Sequence, residues 1–169
     1  MNDKTSHQMR PHVALERILL LEASGTRRSN LLRTLRSLGA DRYDLHLPET
    51  HYLSQLMKPH EKLLGILYGR YKHDNGQPVG RGLLAATNER LLFVDRKPFY
   101  THFDELIYAV VSGVTYTHIG LSTTVTVSTR MGDISFRTFN RTATRCFVAA
   151  VERMLFEQQR KGVYDNNYR

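Results

Sequence analysis

Thr123-Thr124-Val125-Thr126-Val127-Ser128-Thr129-Arg130-Met131-Gly132-Asp133-Ile134-Ser135-Phe136-Arg137-Thr138 decides the fold. Val125 and Val127 alternate with Thr124, Thr126 and Ser128. Beyond a turn at Met131-Gly132-Asp133, Ile134, Phe136 and Thr138 alternate with Ser135 and Arg137. A period of two gives each segment one apolar and one polar face, so the stretch reads as a β-hairpin with one side on a core and the other in water.

Toward the C-terminus the period becomes helical. Asn140 or Thr142 can cap a helix whose buried side is Phe147, Val151, Met154 and Leu155. It is read to about Lys161, with residues 162–169 as a flexible tail. Toward the N-terminus more short β signals appear. Ile107 to Ile119, rich in Val, Tyr and Thr, reads as one long or interrupted strand, and Pro98 to Phe103 as a weaker one. Leu91 to Val94 and Gly82 to Thr87 are strands joined by a tight turn at Asn88-Glu89. Leu64, Ile66 and Tyr68 alternate with Gly65 and Leu67, and Gly65 and Gly69 suggest a strongly bent first strand. His73 to Gly76 supplies turn residues.

Before Pro59 the pattern is helical from Pro11 onward, and residues 1–10, with no apolar period, read as a loose end. Leu15, Ile18 and Leu19 mark a helix between Pro11 and Gly25. Leu31, Leu32, Leu35 and Leu38 stripe a second one from Thr26 to Leu38, ended by Gly39. Tyr52, Leu53, Leu56 and Met57 fall on one side of a third, from Pro48 to Met57. The expected fold is therefore α+β. About seven antiparallel strands form a small barrel or sandwich closed by a C-terminal helix, preceded by two to three N-terminal helices. The division is a helical arm over residues 1–47, the β domain over 48–161 and the tail. Burial of the arm's leucines is expected in cis or across a homodimer.

Composition bounds the function. The chain has 169 residues with a formal net charge of +8, spread over both parts rather than gathered in a tail. Diffuse positive charge favours phosphate-bearing polymers and anionic surfaces in general. No apolar run approaches the roughly 18–20 residues of a membrane-spanning helix, and residues 1–11 lack the apolar core of a secretory signal, so a cytoplasmic chain is expected. The single cysteine, Cys146, lies among Phe147, Val148 and Ala149 and reads as a packed small apolar residue.

The segment Gly82-Leu83-Leu84-Ala85-Ala86-Thr87-Asn88-Glu89-Arg90-Leu91-Leu92-Phe93-Val94-Asp95 resembles the β-hairpin of bacterial pleckstrin-homology-like (PH-like) domains, particularly the YokE-like group. Leu56-Met57-Lys58-Pro59-His60-Glu61-Lys62-Leu63 is similar to that group's entry into the first strand. Val111-Ser112-Gly113-Val114 and the Phe136 strand also fit. The resemblance covers about residues 48–160. It implies a PH-like barrel that presents loops and a groove to lipids, peptides or other proteins. The chain departs from eukaryotic PH domains in having no Trp in its C-terminal helix.

Candidate binding residues fall into two groups. Arg70, Lys72 and Arg81 flank the turn between the first two strands, where they could hold phosphate or another anion. The alternative is a solvated charged hairpin. Arg27, Arg28, Arg33 and Arg36, with Arg42 beyond them, make the densest basic stretch. Such a helix could touch an anionic lipid surface or nucleic acid. The alternative is a docked helix with its arginines in water. The eight histidines (His7, His12, His46, His51, His60, His73, His102 and His118) show no metal-ligand spacing, and no metal or cofactor is expected. Nucleophile-elbow, phosphate-loop and dinucleotide motifs are absent from the sequence, and the adjacent Asp104 and Glu105 would point to opposite faces of a strand. The expectation is a non-enzymatic binding or adaptor module that recognises a protein partner or self-associates. The other reading is a peripheral binder of anionic lipid or nucleic acid through the Arg-rich helix.

Overall fold

The computed structural model describes residues 25, 26, 28–73 and 80–166, with side chains described for 25, 26, 28–72 and 80–160. The helix expected between Pro11 and Gly25 lies outside these residues, as do Arg27 and the turn after His73. Helix α1 takes in 25, 26 and 28–37, so Gly25 is helical rather than a stop, and a 3₁₀ turn at Asp44–His46 leads into α2, Pro48–Leu56. Seven strands follow: β1 Leu63–His73, β2 Gly80–Thr87, β3 Arg90–Lys97, β4 Tyr100–Ile107, β5 Val111–Ile119, β6 Ser122–Thr129 and β7 Gly132–Thr138. A 3₁₀ turn, Tyr108–Val110, separates β4 from β5, and α3 runs from Arg141 to Asn166. The expected α+β architecture is thus present.

The strands form one antiparallel sheet in the order β4-β3-β2-β1-β7-β6-β5. It curls so that its two halves share a core. Phe93 of β3 meets Phe136 of β7 edge-on at 5.9 Å, and Tyr71 of β1 contacts both rings, at 4.5 and 5.9 Å. The inward residues of the hairpin that announced the fold, Val125, Val127, Ile134 and Phe136, are buried there with Phe147, Val148, Val151 and Met154 of α3. Asn140 caps α3 by accepting the Ala143 N–H at 3.0 Å.

Strand β1 joins the two halves. Its first part pairs with β2 alone, and from Arg70 onward it pairs with β7 as well. The glycines expected to bend it have a more specific use. A Cβ at Gly69 would collide with the Arg137 carbonyl oxygen of β7, and one at Gly65 would lie 2.6 Å from the Phe147 Cα of α3. Their missing side chains let a strand and a helix approach the β1 backbone.

Strands β2 and β3 are buried on both faces. Leu84, Ala86, Leu91 and Phe93 point into the barrel, whereas Leu83, Ala85, Leu92 and Val94 belong to a second cluster with Leu35, Leu45, Leu53, Leu63 and Ile66. Helices α1 and α2 supply that outer layer, so the α1 stripe is buried in cis. Leu35 is fully buried, and Leu31, Leu32 and Leu38 pack beside it. The segment on either side of residue 47 contributes to one core.

Several boundaries differ from expectation, among them β2, which starts at Gly80, and β3, which spans Arg90–Lys97. Pro98 and Phe99 form the turn before β4 rather than the strand itself, because β4 is an edge strand with weak apolar alternation. The hairpin turn falls at Arg130-Met131, with Gly132 opening β7 at φ +125°. Helix α3 continues through Asn166, past the expected end near Lys161, because extending a formed helix is far less costly than nucleating one.

Candidate anion-binding site

The outer face of the sheet changes character along β1 and β2. Ile66 and Leu83 lie beneath the helices, but farther along the strands Arg70 stands directly opposite Arg81 of β2 and, on its other side, opposite Arg137 of β7. Residues two apart share a face, so Arg70, Arg81 and Arg137 project outward together as a row across three neighbouring strands. Continuing the β2–β3 register past Leu83 and Val94 brings Arg96 beside Arg81.

This row forms the floor of a pocket of about 710 Å³ between the sheet and the segment entering α2. Its walls are Tyr43, Asp44, Leu47, Pro48 and Glu49 on the helical side, with Tyr68, Thr138 and Phe139 completing it. Five cations line the pocket, Arg70, Arg81, Arg96, Lys97 and Arg137, against two carboxylates. Both carboxylates are buried and engaged. Glu49 Oε1 lies 3.7 Å from Lys97 Nζ and accepts the Arg96 N–H at 3.4 Å. Asp44 accepts the Asp41 N–H at 3.1 Å, and burial pushes its pKa up from the ordinary carboxylate range to about 6.

The cations are unequally satisfied. Lys97 also meets Asp95 Oδ1 at 2.6 Å, off the direction of a hydrogen bond, so charge rather than a directed bond holds that oxygen. Arg96 lies over the Tyr52 ring at 5.0 Å, and Arg137 Nε donates to Ser122 Oγ at 3.2 Å. Arg70 and Arg81 have no side-chain hydrogen bond or ion pair among the described residues, and both are exposed. Like charges directly opposite across a ladder are destabilising, and arginine cannot shed its proton to relieve them. The arrangement therefore concentrates uncompensated positive charge at the floor of the pocket.

Of the residues singled out from the sequence, Arg70 and Arg81 come together here. Lys72 is exposed on the same face of β1 but stands opposite Ser135, outside the pocket. Arg96, Lys97, Arg137, Tyr43 and Phe139 were missed. Arg137 was legible only as a polar-face residue of β7, because its neighbour on β1 is far away in sequence. On α1, Arg28, Arg33 and Arg36 are exposed. The Arg28 guanidinium donates to His51 Nδ1 at 2.9 Å, and burial, then Arg28, hold that imidazole below its usual pKa. Arg27 lies outside the described residues.

Other polar clusters are paired among themselves, although Asp95 Oδ1 is buried without a hydrogen bond. Glu61 accepts from Arg90 at 3.0 Å and from Thr87 at 2.8 Å, and Arg90 also pairs with Glu105. The Asp95 carboxylate accepts from Tyr71 and Tyr100. No group of three or more metal-ligating side chains occurs among the described residues, and no helix there is long and apolar enough to cross a membrane.

A curled seven-stranded antiparallel sheet closed by a C-terminal helix is a PH-like fold, an architecture that serves widely as a binding module. The family model described as "Bacterial PH domain" matches residues 57–153, and the chain belongs to that family. No curated protein matches the chain. Among solved structures it is similar to the Vps36 N-terminal PH domain, at 19% identity over 62% of this chain and 86% of that one, with a TM-score of 0.48. It is also similar to the C-terminal domain of an unknown protein from Leishmania infantum, at 18% identity, 56% and 85% coverage, and a TM-score of 0.43. A pleckstrin-homology protein from Shewanella loihica aligns at 14% identity, 63% and 89% coverage, and a TM-score of 0.37.

Proposed function

We propose that this chain is a non-enzymatic binding module that engages its partner through the pocket between the helical layer and the sheet, by an anionic group of that partner. The observation that carries the reading is the in-register row Arg137, Arg70 and Arg81, none of whose members has a counter-charge among the described residues. Guanidinium groups bind oxyanions through charge and a rigid fork of donors but do not shuttle protons at neutral pH, which suits recognition rather than acid–base chemistry. Membership of the YokE-like group and a cytoplasmic setting belong to the same reading. They are supported by the hairpin and entry segments quoted above and by the single cysteine.

Recognition of anionic lipid or nucleic acid through α1 is the second reading, favoured by the exposure of Arg33 and Arg36. A salt series separates the two. Binding of the full chain to a fluorescent poly-glutamate peptide and to anionic vesicles is measured for the parent, for Arg70→Glu with Arg81→Glu, and for Arg33→Glu with Arg36→Glu. The pocket reading expects binding that weakens with salt, is lost in the first pair and is kept in the second. The reverse pattern makes α1 the reader, and binding unaffected by either pair removes both.

A further inference from the structure

The pocket has a second property besides charge. Tyr43 and Phe139 line it from opposite parts of the chain, and both are largely exposed, at 70% and 74%. Their rings have apolar faces turned to water at the margins of a row of arginines. Backbone contacts fix both margins. Tyr43 begins the 3₁₀ turn whose His46 N–H bonds back to the Tyr43 carbonyl, and Phe139 lies between β7 and α3, next to Asn140. Asn140 joins the margins by donating from Nδ2 to the Gly39 carbonyl at 2.6 Å.

Cation row and aromatic rim together specify a ligand more narrowly than charge alone. Adjacent strands are roughly 4.8 Å apart, so the guanidinium bases of Arg137, Arg70 and Arg81 span about 10 Å, a spacing for several oxyanions rather than one. A volume of about 710 Å³ lies within the range of small-molecule sites. Exposed aromatic rings beside cations are the elements that stack a planar ring while its phosphates are neutralised.

Resting on the reading of this pocket as an anion site, we infer that its ligand is a small, multiply phosphorylated molecule carrying a planar ring. The phosphates lie along Arg137, Arg70 and Arg81, and the ring lies against Tyr43 or Phe139. Bidentate guanidinium–phosphate contacts supply the affinity for the charged part. The buried Asp44 and Glu49 bound the pocket on the side of α2 and oppose phosphate there, which fixes the orientation.

The test uses the full chain and three soluble probes, ATP, tripolyphosphate and poly-glutamate, followed by calorimetry at low salt, with vesicles containing phosphatidylglycerol as a fourth. The expected result is that ATP binds more tightly than tripolyphosphate. Arg70→Ala with Arg81→Ala lowers both affinities at least tenfold. Tyr43→Ala with Phe139→Ala lowers ATP affinity several-fold and leaves tripolyphosphate unchanged. Circular dichroism of each variant separates lost binding from lost fold, and Arg70→Lys with Arg81→Lys should retain only part of the affinity, because lysine keeps the charge without the fork. Equal ATP and tripolyphosphate affinities, or no effect of the aromatic variant, overturn the planar-ring assignment. Arginine-dependent binding of poly-glutamate or vesicles without ATP overturns this ligand class but keeps the anion site. Absence of arginine-dependent binding to every probe overturns both.

Discussion

The outer face of β1, β2 and β3 is one surface with two halves. Over Ile66, Leu83, Leu92 and Val94 it is apolar and roofed by α1 and α2. A short step along the same strands it becomes Arg70, Arg81 and Arg96, and the roof gives way to a pocket. The β1–β2 register runs unbroken from one half to the other; the side chains change. Burial of an apolar side chain stabilises by about 1.5–3 kcal/mol, whereas burying an unpaired guanidinium costs several. The helices therefore cover the leucines and leave the arginines to solvent. The roof thus does two things at once: it completes a core, and its margin, at Tyr43 to Glu49, becomes the wall of the site.

The contrast can be broken most forcefully at the roofed half. Leu35 is fully buried in the outer cluster, and Leu35→Ala should cost about 2–5 kcal/mol in urea unfolding, a loss expected of a core residue and not of a detachable arm. A cost below about 0.5 kcal/mol would mean that the roof is not part of the folding unit.

A middle-sized effect is expected at the boundary. Asp44, at the pocket margin, has a folded pKa of about 6 against an ordinary value of 3.8, raised chiefly by burial. The fold therefore favours its protonated form. The stabilisation this brings is complete below about pH 4 and is lost as pH rises through about 6. Unfolding followed from pH 4 to 7.5 should show that loss in the parent chain, and Asp44→Asn should be flatter over the same window. Identical profiles would place the carboxylate in water.

The smallest effect belongs to the bare half. Arg70 faces an arginine on each side, so Arg70→Gln should leave stability unchanged or raise it by about 0.2–1 kcal/mol, most visibly at low salt. A loss above about 1 kcal/mol would assign the row a structural role and weaken its claim to be a binding site.

The fold was legible wherever one face of an element is wet. The hairpin from Thr123 to Thr138 shows its period of two because β6 and β7 are covered on one side only, and α3 shows its stripe for the same reason. Strands β2 and β3 were recognised as strands, but the run Leu83-Leu84-Ala85-Ala86 carried a further message. Consecutive apolar residues in a strand imply cover on both faces, and the leucines of α1 were the matching surface. The edge strand β4 begins later than expected, because with only the half-buried Phe103 and Leu106 on its two faces it lacks the alternation that marks a strand's ends.

Local pattern by itself determined the element types, the antiparallel hairpins, the closing helix, and Arg70 and Arg81 as cations flanking one turn, since all of these depend on neighbours within a few residues. Only the tertiary structure decided that β1 pairs with β7, that the leucine stripe is buried in cis, and that Arg137, Tyr43 and Phe139 join those two arginines at one pocket. Strand pairing across long sequence separations is set by which buried faces fit together. That fit turns on close approaches such as Gly69 against the Arg137 carbonyl, which no window of sequence contains.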